Sequence, residues 1–313
     1  MIRALIFSVS LMALVVQAFA QATPTTTTSY EEAVAMYEDG NYADALPLAQ
    51  TYAAKGDARA MAMLGNMFQK GLGVAVDLPQ AAKWFQQAAE KGDVDSEFAY
   101  AMALMDGSLG KVNLQDGAPW LQKAAEAGNL QAQYNLGLFY AGAYKTDADW
   151  QGAAKWFSSA AAKGSADAQY NMALLYLDGH GVEKSQLKAA EFFSKAAVQG
   201  MPEAALEYGV LVFRGEGVEK DEALGAKWLL VAANHGNAVA QNRVSKLYAT
   251  GRGVAVDAVE AAKWNILAKA GGRGDQELDA AMEKLDPALL KQAQAKAAAF
   301  KPMTSVVTNK TQN

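Results

Sequence analysis

Residues 56–92 read "GDARAMAMLGNMFQKGLGVAVDLPQAAKWFQQAAEKG", and this stretch sets the pattern for most of the chain. Glycine returns every 36 residues, at positions 56, 92, 128, 164, 200, 236 and 272. An aromatic residue follows the first six of these glycines at a constant distance of 28 positions: Trp84, Trp120, Trp156, Phe192, Trp228 and Trp264. A fixed period of this length predicts an array of repeated supersecondary units.

The residues between two boundary glycines predict a pair of helices. In the first helix, apolar residues recur at helical spacing, as in Ala168, Met172 and Tyr176. Four units then contain a Gly-x-Gly-Val turn, in which glycine takes the positive φ that ends a helix. The second helix is predicted to begin at one register position, where every unit has a good N-cap residue: Asp77, Asn113, Asp149, Ser185, Asp221 and Asp257.

The recurrent aromatic residue is interpreted as a structural anchor. Paired alanines such as Ala81 and Ala82 let helices approach closely, and the tryptophan fills the space between neighbouring units. A single helix pair cannot bury its own apolar face, so the units must stack in one dimension. The pattern therefore predicts an all-α protein, an α-solenoid of helix-turn-helix units.

The stretch at 56–92 resembles the Sel-one-like repeat, a relative of the tetratricopeptide repeat with a 36-residue period, a G-x-G turn and an A-A-x-W/F second helix. The resemblance extends over residues 56–272. It implies a right-handed superhelix that serves as a scaffold for protein complexes. A role in polysaccharide export or envelope stress is suggested by the resemblance alone.

The remaining segments complete the predicted domain organisation. Residues 1–20 have one charge, Arg3, then an apolar run over 4–16 and the small-x-small pattern Ala18-Phe19-Ala20, which predicts a cleaved signal peptide. We therefore expect an exported protein, periplasmic or secreted, without stable membrane insertion after cleavage. The other predicted segments are a polar linker (21–29), a tetratricopeptide-like helix pair (30–55), six repeats (56–271), capping helices (272–300) and a disordered tail (301–313).

Composition argues against several classes of function. The chain contains no cysteine, which excludes thiol chemistry and cysteine metal sites. The formal net charge of −5 becomes −6 when Arg3 is lost with residues 1–20, and no clustered basic face appears, so nucleic acid is not an expected partner. The two histidines, His180 and His235, lie in different units, and no metal site or cofactor is expected.

One short motif raises the alternative of an enzyme. Ser185 and Lys188 match S-x-x-K, the nucleophile motif of penicillin-interacting enzymes, but the supporting S-D-N and K-T-G motifs are absent. A cysteine-rich branch of the resembled family is associated with β-lactamase activity, and none of its cysteines is present here. We expect Ser185 to be an N-cap and the protein to be non-enzymatic; the alternative is a hydrolase of cell-wall or β-lactam substrates.

The candidate binding site is a surface formed by the first helices. In related superhelices the first helix of each pair lines the concave side, which implies a groove that binds a protein or peptide partner bearing Lys or Arg. The alternative is that the groove aromatics are framework residues of the repeat. The predicted positions are Phe98, Tyr134, Tyr170 and Leu206 in the middle, Met102, Leu138, Leu174 and Val210 with Met105, Leu177 and Phe213 alongside, and Asp95, Asp167 and Glu203 on one edge.

Units two and three depart from the common turn. Unit two reads Gly-Ser-Leu-Gly over 107–110, and unit three reads Gly-Ala-Tyr-Lys over 142–145 and carries the off-register Trp150. Either these turns differ only in conformation, or they mark a place of partner recognition.

Overall fold

The structure is a computed structural model that describes residues 29–303, and every regular element in that range is an α-helix. The predicted signal peptide, the linker before residue 29 and the tail after residue 303 lie outside the described residues. The sixteen helices of the described range are α1 Tyr30–Glu38, α2 Tyr42–Ala54, α3 Ala58–Lys70, α4 Leu78–Glu90, α5 Val94–Met105, α6 Leu114–Glu126, α7 Leu130–Tyr140, α8 Trp150–Ala162, α9 Ala166–Asp178, α10 Gln186–Val198, α11 Pro202–Arg214, α12 Glu222–Asn234, α13 Ala238–Thr250, α14 Ala258–Ala270, α15 Gln276–Glu283 and α16 Pro287–Ala298.

The helices form a continuous stack in chain order. Each helix from α1 to α14 packs on the next one along the chain, and α16 closes the array by packing on α14. The first helices of the six repeats are α3, α5, α7, α9, α11 and α13, and each is followed by its second helix. The predicted all-α solenoid is confirmed.

The predicted starts of the second helices are confirmed by hydrogen bonding. At all six positions the side-chain oxygen of the N-cap accepts the backbone N–H three residues later, at 2.8–3.3 Å. These bonds satisfy amide hydrogens that have no partner within the helix, which stabilises each helix by about 1 kcal/mol.

The two glycines of the G-x-G turn have different tasks. Gly179 ends α9 with a left-handed φ of 78°, as the sequence predicts. Gly181 also has a positive φ, 67°, and a Cβ placed on it would lie 2.0 Å from the carbonyl oxygen of Trp150 in the preceding unit. The second glycine is therefore required for close approach between units as well as for backbone conformation.

The core between paired helices is formed by the residue that follows the recurrent aromatic. Phe85, Leu121, Phe157, Phe193 and Leu229 are each at most 4% exposed. In the first helix they meet small residues: a Cβ placed on Gly65 or on Gly137 would lie 2.5 Å from the ring of Phe85 or Phe157. Each ring therefore occupies the space that a side chain at the facing glycine would need.

The recurrent aromatic residue, predicted to be a buried anchor, is buried in two of the six units. Trp156 and Trp264 are 7% and 1% exposed, whereas Trp84, Trp120, Phe192 and Trp228 are only partly buried. Successive residues lie about 100° apart around a helix, so the following residue points to the first helix and the aromatic lies at the side.

A buried glutamine joins each of three units to the preceding one. Gln133, Gln169 and Gln241 are 4–6% exposed, and their amide nitrogens donate to backbone carbonyls eight residues earlier, at 3.0–3.2 Å. In unit two the same position is Glu97, 2% exposed, whose carboxylate pairs with Lys123 at 2.7 Å. The recurring Ala-Gln pair in the sequence is the signal that could have identified this link.

Candidate functional site

The apolar and aromatic positions of the predicted groove lie on consecutive first helices. Asn129, the N-cap of α7, donates to Asp95 on α5 at 2.7 Å, which places these helices side by side. The side chains that remain partly buried, and so keep some exposed surface, are Phe98, Met102, Tyr134, Leu138, Tyr170, Leu174, Leu177, Val210 and Phe213, which we call the first-helix row.

The tyrosines of this row rest on the buried core. The ring centroid of Tyr134 lies 5.8 Å from that of Phe157, and the centroid of Tyr170 lies 5.4 Å from that of Phe193. One side of each ring therefore belongs to the repeat framework, as the alternative interpretation expects. Each tyrosine nevertheless keeps some exposed surface.

The phenol groups of Tyr134 and Tyr170 feel the charge of acidic residues in the next unit. Burial raises the pKa of Tyr134, and the negative charge of Asp167 adds to this effect. Burial also raises the pKa of Tyr170, together with the charges of Glu207 and Glu203. The acidic margin predicted from the sequence thus lies within electrostatic range of the row.

Two of the apolar positions predicted to line the groove are core residues instead. Leu206 is 8% exposed and Met105 is 1% exposed. Met105 lies against the helix α6 backbone, where a Cβ on Gly117 would come within 2.4 Å of its Cγ. Neither side chain offers a surface to a partner.

The acidic positions are accessible. Asp95, Asp167 and Glu203 are all exposed, and Asp95 accepts the hydrogen bond from Asn129. Within residues 29–303, the carboxylates of Asp167 and Glu203 form no ion pair. Their charges are therefore available to an external cation.

Packing brings several basic side chains together in units five and six. Side chains far apart in sequence surround Phe213 and an open cavity of about 410 Å³ beside it. The helices α11 and α13 bring them together, which no local run of charge could indicate. We call Arg214, Lys220, Arg243, Lys246 and Arg252 the basic cluster.

Acidic side chains neutralise much of the basic cluster. Glu222 lies 2.7 Å from Arg252 and 3.0 Å from Lys220, and hydrogen bonds from these two bases lower the pKa of Glu222 to about 2. Lys246 pairs with Asp275 at 2.6 Å. Arg243 has its buried Nε without a hydrogen-bond partner among the described residues. Lys246 occupies the register position of Val210, so the apolar row becomes basic in unit six.

The unusual turns of units two and three both contain internal hydrogen bonds. In unit two, the Ser108 hydroxyl donates to the Ala103 carbonyl at 3.2 Å. In unit three, Lys145 takes a positive φ of 62°, and Thr146 donates its hydroxyl hydrogen to the carbonyl of Phe139 at 2.9 Å. The off-register Trp150 stacks on His180 with ring centroids 4.5 Å apart. These turns differ in conformation; a recognition role for them stays a prediction.

The S-x-x-K motif has the geometry of a helix cap. The Ser185 hydroxyl oxygen accepts the backbone N–H of Lys188 at 3.3 Å. The Lys188 ammonium lies 5.1 Å from the centroid of the Tyr176 ring, in a cation–π contact. Within residues 29–303, no group of three or more His, Asp or Glu side chains is arranged to hold a metal ion.

The helices of residues 29–303 are all too short or too polar for a membrane span.

Comparison with known proteins identifies the same six repeat units. The Sel1 repeat model matches six consecutive segments, residues 58–93, 94–129, 130–165, 166–201, 202–237 and 238–272. The structure is similar to that of c5321, a protective antigen present in uropathogenic Escherichia coli strains displaying an SLR fold, with a TM-score of 0.76 and 29% identity over 87% of this chain. This chain spans 61% of the length of that antigen.

A second solved structure supports the fold alone. The Sel1 repeat protein from Oxalobacter formigenes has a TM-score of 0.65 and 24% identity, covering 76% of this chain and 96% of its own. No curated protein sequence matches the chain.

Proposed function

This chain belongs to the Sel1 repeat family, and we propose that it is a non-enzymatic adaptor that binds a protein or peptide partner along the first-helix row. Sel1 repeat proteins are generally protein-interaction scaffolds. The observation that carries the proposal is the line of partly open aromatic and aliphatic side chains bordered by the exposed, unpaired carboxylates of Asp167 and Glu203. A solenoid presents such a line as one extended surface.

The chemistry of the row defines the partner. Apolar side chains of an amphipathic helix or extended peptide would cover Leu138, Leu174 and the open faces of Tyr134 and Tyr170. Lysine or arginine of the partner would pair with Asp167 and Glu203. In unit six the row ends beside Arg243, the one base of the basic cluster that forms no ion pair among the described residues, so a carboxylate of the same partner would lie there and fix its direction along the solenoid.

Export is part of the proposal, since it determines where the partner is met. It rests on Arg3, the apolar run 4–16 and the Ala18-Phe19-Ala20 pattern. N-terminal sequencing of the protein recovered from a periplasmic fraction should begin at Gln21. A protein that remains in the cytoplasm with Met1 intact would overturn this part.

Photo-crosslinking tests the binding surface directly. A photoreactive phenylalanine analogue at Leu174, on the row, should form a covalent adduct with one specific protein. The matched control places it at Leu187, an apolar residue on α10 that is 56% exposed. Equal adducts from both positions would show that exposure alone explains capture and would refute the groove.

The hydrolase alternative has a separate test. Because Ser185 caps α10 and Lys188 faces Tyr176, we expect no turnover of a chromogenic β-lactam by the purified protein. Turnover that Ser185→Ala abolishes, with helicity unchanged, would make the protein an enzyme.

A further inference from the structure

In unit six the buried contact between the two paired helices contains polar side chains, whereas in the other five repeats it is apolar. The position that is Phe or Leu in the other five repeats is Asn265, which is 1% exposed. The facing position of α13, which is Gly or Ala in the other repeats, is Ser245, fully buried. A cavity of about 190 Å³ lies beside this polar pair, between α13, α14 and α15, and we call it the unit-six pocket.

The walls of the unit-six pocket are neutral and mostly apolar. Its inner part is lined by the buried side chains of Ala261, Ala262 and Leu278, and exposed Val256 and Ala281 lie at its mouth. None of the lining residues is ionisable. A charged ligand would lose its hydration without gaining a counter-ion, so the pocket favours a neutral molecule.

The hydrogen-bonding groups of the pocket are fixed in orientation. Asn265 donates from Nδ2 to Asp279 Oδ1 at 2.8 Å, and Nδ2 also lies 3.1 Å from the sulfur of Met282. Asp279 pairs with Lys269 at 2.7 Å, and this bond, with that from Asn265, lowers the pKa of Asp279. An ionised carboxylate only accepts hydrogen bonds, so the amide nitrogen of Asn265 must face it.

The two polar side chains beside the pocket therefore offer acceptors only. The Oδ1 atom of Asn265 is buried and has no hydrogen-bond partner among the described residues. The Ser245 hydroxyl donates to the Ala261 carbonyl at 2.7 Å, so only its lone pairs remain. A buried acceptor without a partner is costly, and a ligand that supplies an O–H or N–H group would satisfy it.

We propose that the unit-six pocket binds a small neutral molecule that has an apolar body of about one ring and an O–H or N–H group donated to Asn265 Oδ1. The volume supports this size, because an apolar cavity of roughly 150 Å³ accommodates benzene. The site is separate from the first-helix row and does not depend on the proposed adaptor function.

Three probes of similar size test the chemistry of the pocket. Phenol carries the donor, toluene has the same shape without it, and benzoate carries a charge. In an NMR titration of the purified protein, phenol should shift the amide resonances of α14 and α15 and bind about tenfold more tightly than toluene. Benzoate should cause no such shifts. Equal binding of phenol and toluene, or no shifts with phenol, would overturn the proposal.

Paired variants locate the site. Ala281→Leu, at the exposed mouth, should reduce phenol binding at least tenfold, whereas Ala280→Leu, exposed on the same helix but outside the pocket, should leave it unchanged. Asn265→Leu should remove the acceptor, fill the cavity and abolish phenol binding while the far-ultraviolet circular dichroism spectrum stays the same. Unaltered binding in Ala281→Leu, or equal loss in Ala280→Leu, would place the ligand elsewhere and refute the assignment.

Discussion

Truncation of Phe193 should destabilise the protein far more than truncation of its neighbour Phe192. Phe193 is 0% exposed, and its ring contacts Tyr170 with centroids 5.4 Å apart. Phe193→Ala leaves a cavity in the core, and such substitutions cost about 3–5 kcal/mol. The cost includes both the lost burial and the unfilled volume between α9 and α10.

Phe192 makes contacts of a different kind. It is partly buried and stacks on Tyr176 with centroids 5.8 Å apart, and the Lys195 ammonium lies 5.0 Å from its ring centroid. Phe192→Ala loses part of its buried area and one ring pair, about 1–2 kcal/mol. The two adjacent phenylalanines are therefore matched in chemistry and differ in burial.

Urea unfolding followed by circular dichroism should separate the two variants. A repeat array can unfold in parts, so hydrogen exchange of the amides in α9 and α10 should accompany the global measurement. Both methods should rank Phe193→Ala as the less stable protein. If Phe192→Ala costs as much or more, the recurrent aromatic position is the main anchor and the core described here is wrongly assigned.

Three further predictions concern the links between units. Gly200→Ala, at a positive φ and with no atom within 4 Å of the new Cβ, should cost only the conformational penalty of about 1–2 kcal/mol in thermal unfolding. Gly181→Ala should cost clearly more than Gly200→Ala, because its Cβ would also meet the Trp150 carbonyl, and equal losses would contradict the close approach. Gln169→Ala should cost about 1–3 kcal/mol by chemical denaturation, because two hydrogen bonds are lost, the one that Gln169 donates to the Ala161 carbonyl and the one that it accepts from Gln199. A neutral result would show that the glutamine link is dispensable. Burial alone would raise the pKa of Glu260, but hydrogen bonds from Lys296 and Lys263 outweigh it and lower the pKa below 4.5. The stability that these ion pairs contribute is therefore complete above pH 4.5 and is lost as the pH falls through the lower folded-state pKa. Melting temperatures of wild type and Glu260→Gln should converge with acidification, and a constant difference would contradict the assignment.

Much of the fold could be predicted because its determinants are local. The N-cap residues from Asp77 to Asp257 act within one helical turn, and a glycine such as Gly179 ends a helix through its own φ. Each of these signals recurs at a fixed spacing, so one unit supports the interpretation of the next. That is why the helix order and the stacked architecture are visible in the sequence.

The candidate sites were less predictable because they depend on distances between units. The sequence identified Tyr134 and Tyr170 as surface candidates, but only the packing shows that one side of each ring is covered by Phe157 or Phe193. Residues of the basic cluster converge from α11 to α13, and no local run of charge indicates this. The unit-six pocket arises where Asn265 replaces a larger apolar side chain.

The central claim is tested most directly by measuring how tightly the partner captured at Leu174 binds charge-reversed variants of this protein. Calorimetric titration with the double variant Asp167→Lys and Glu203→Lys should give a dissociation constant at least tenfold higher than wild type, and salt should weaken the wild-type complex. The control Glu191→Lys, exposed on α10, should bind like wild type. Equal affinity of all three proteins would contradict binding along the first-helix row.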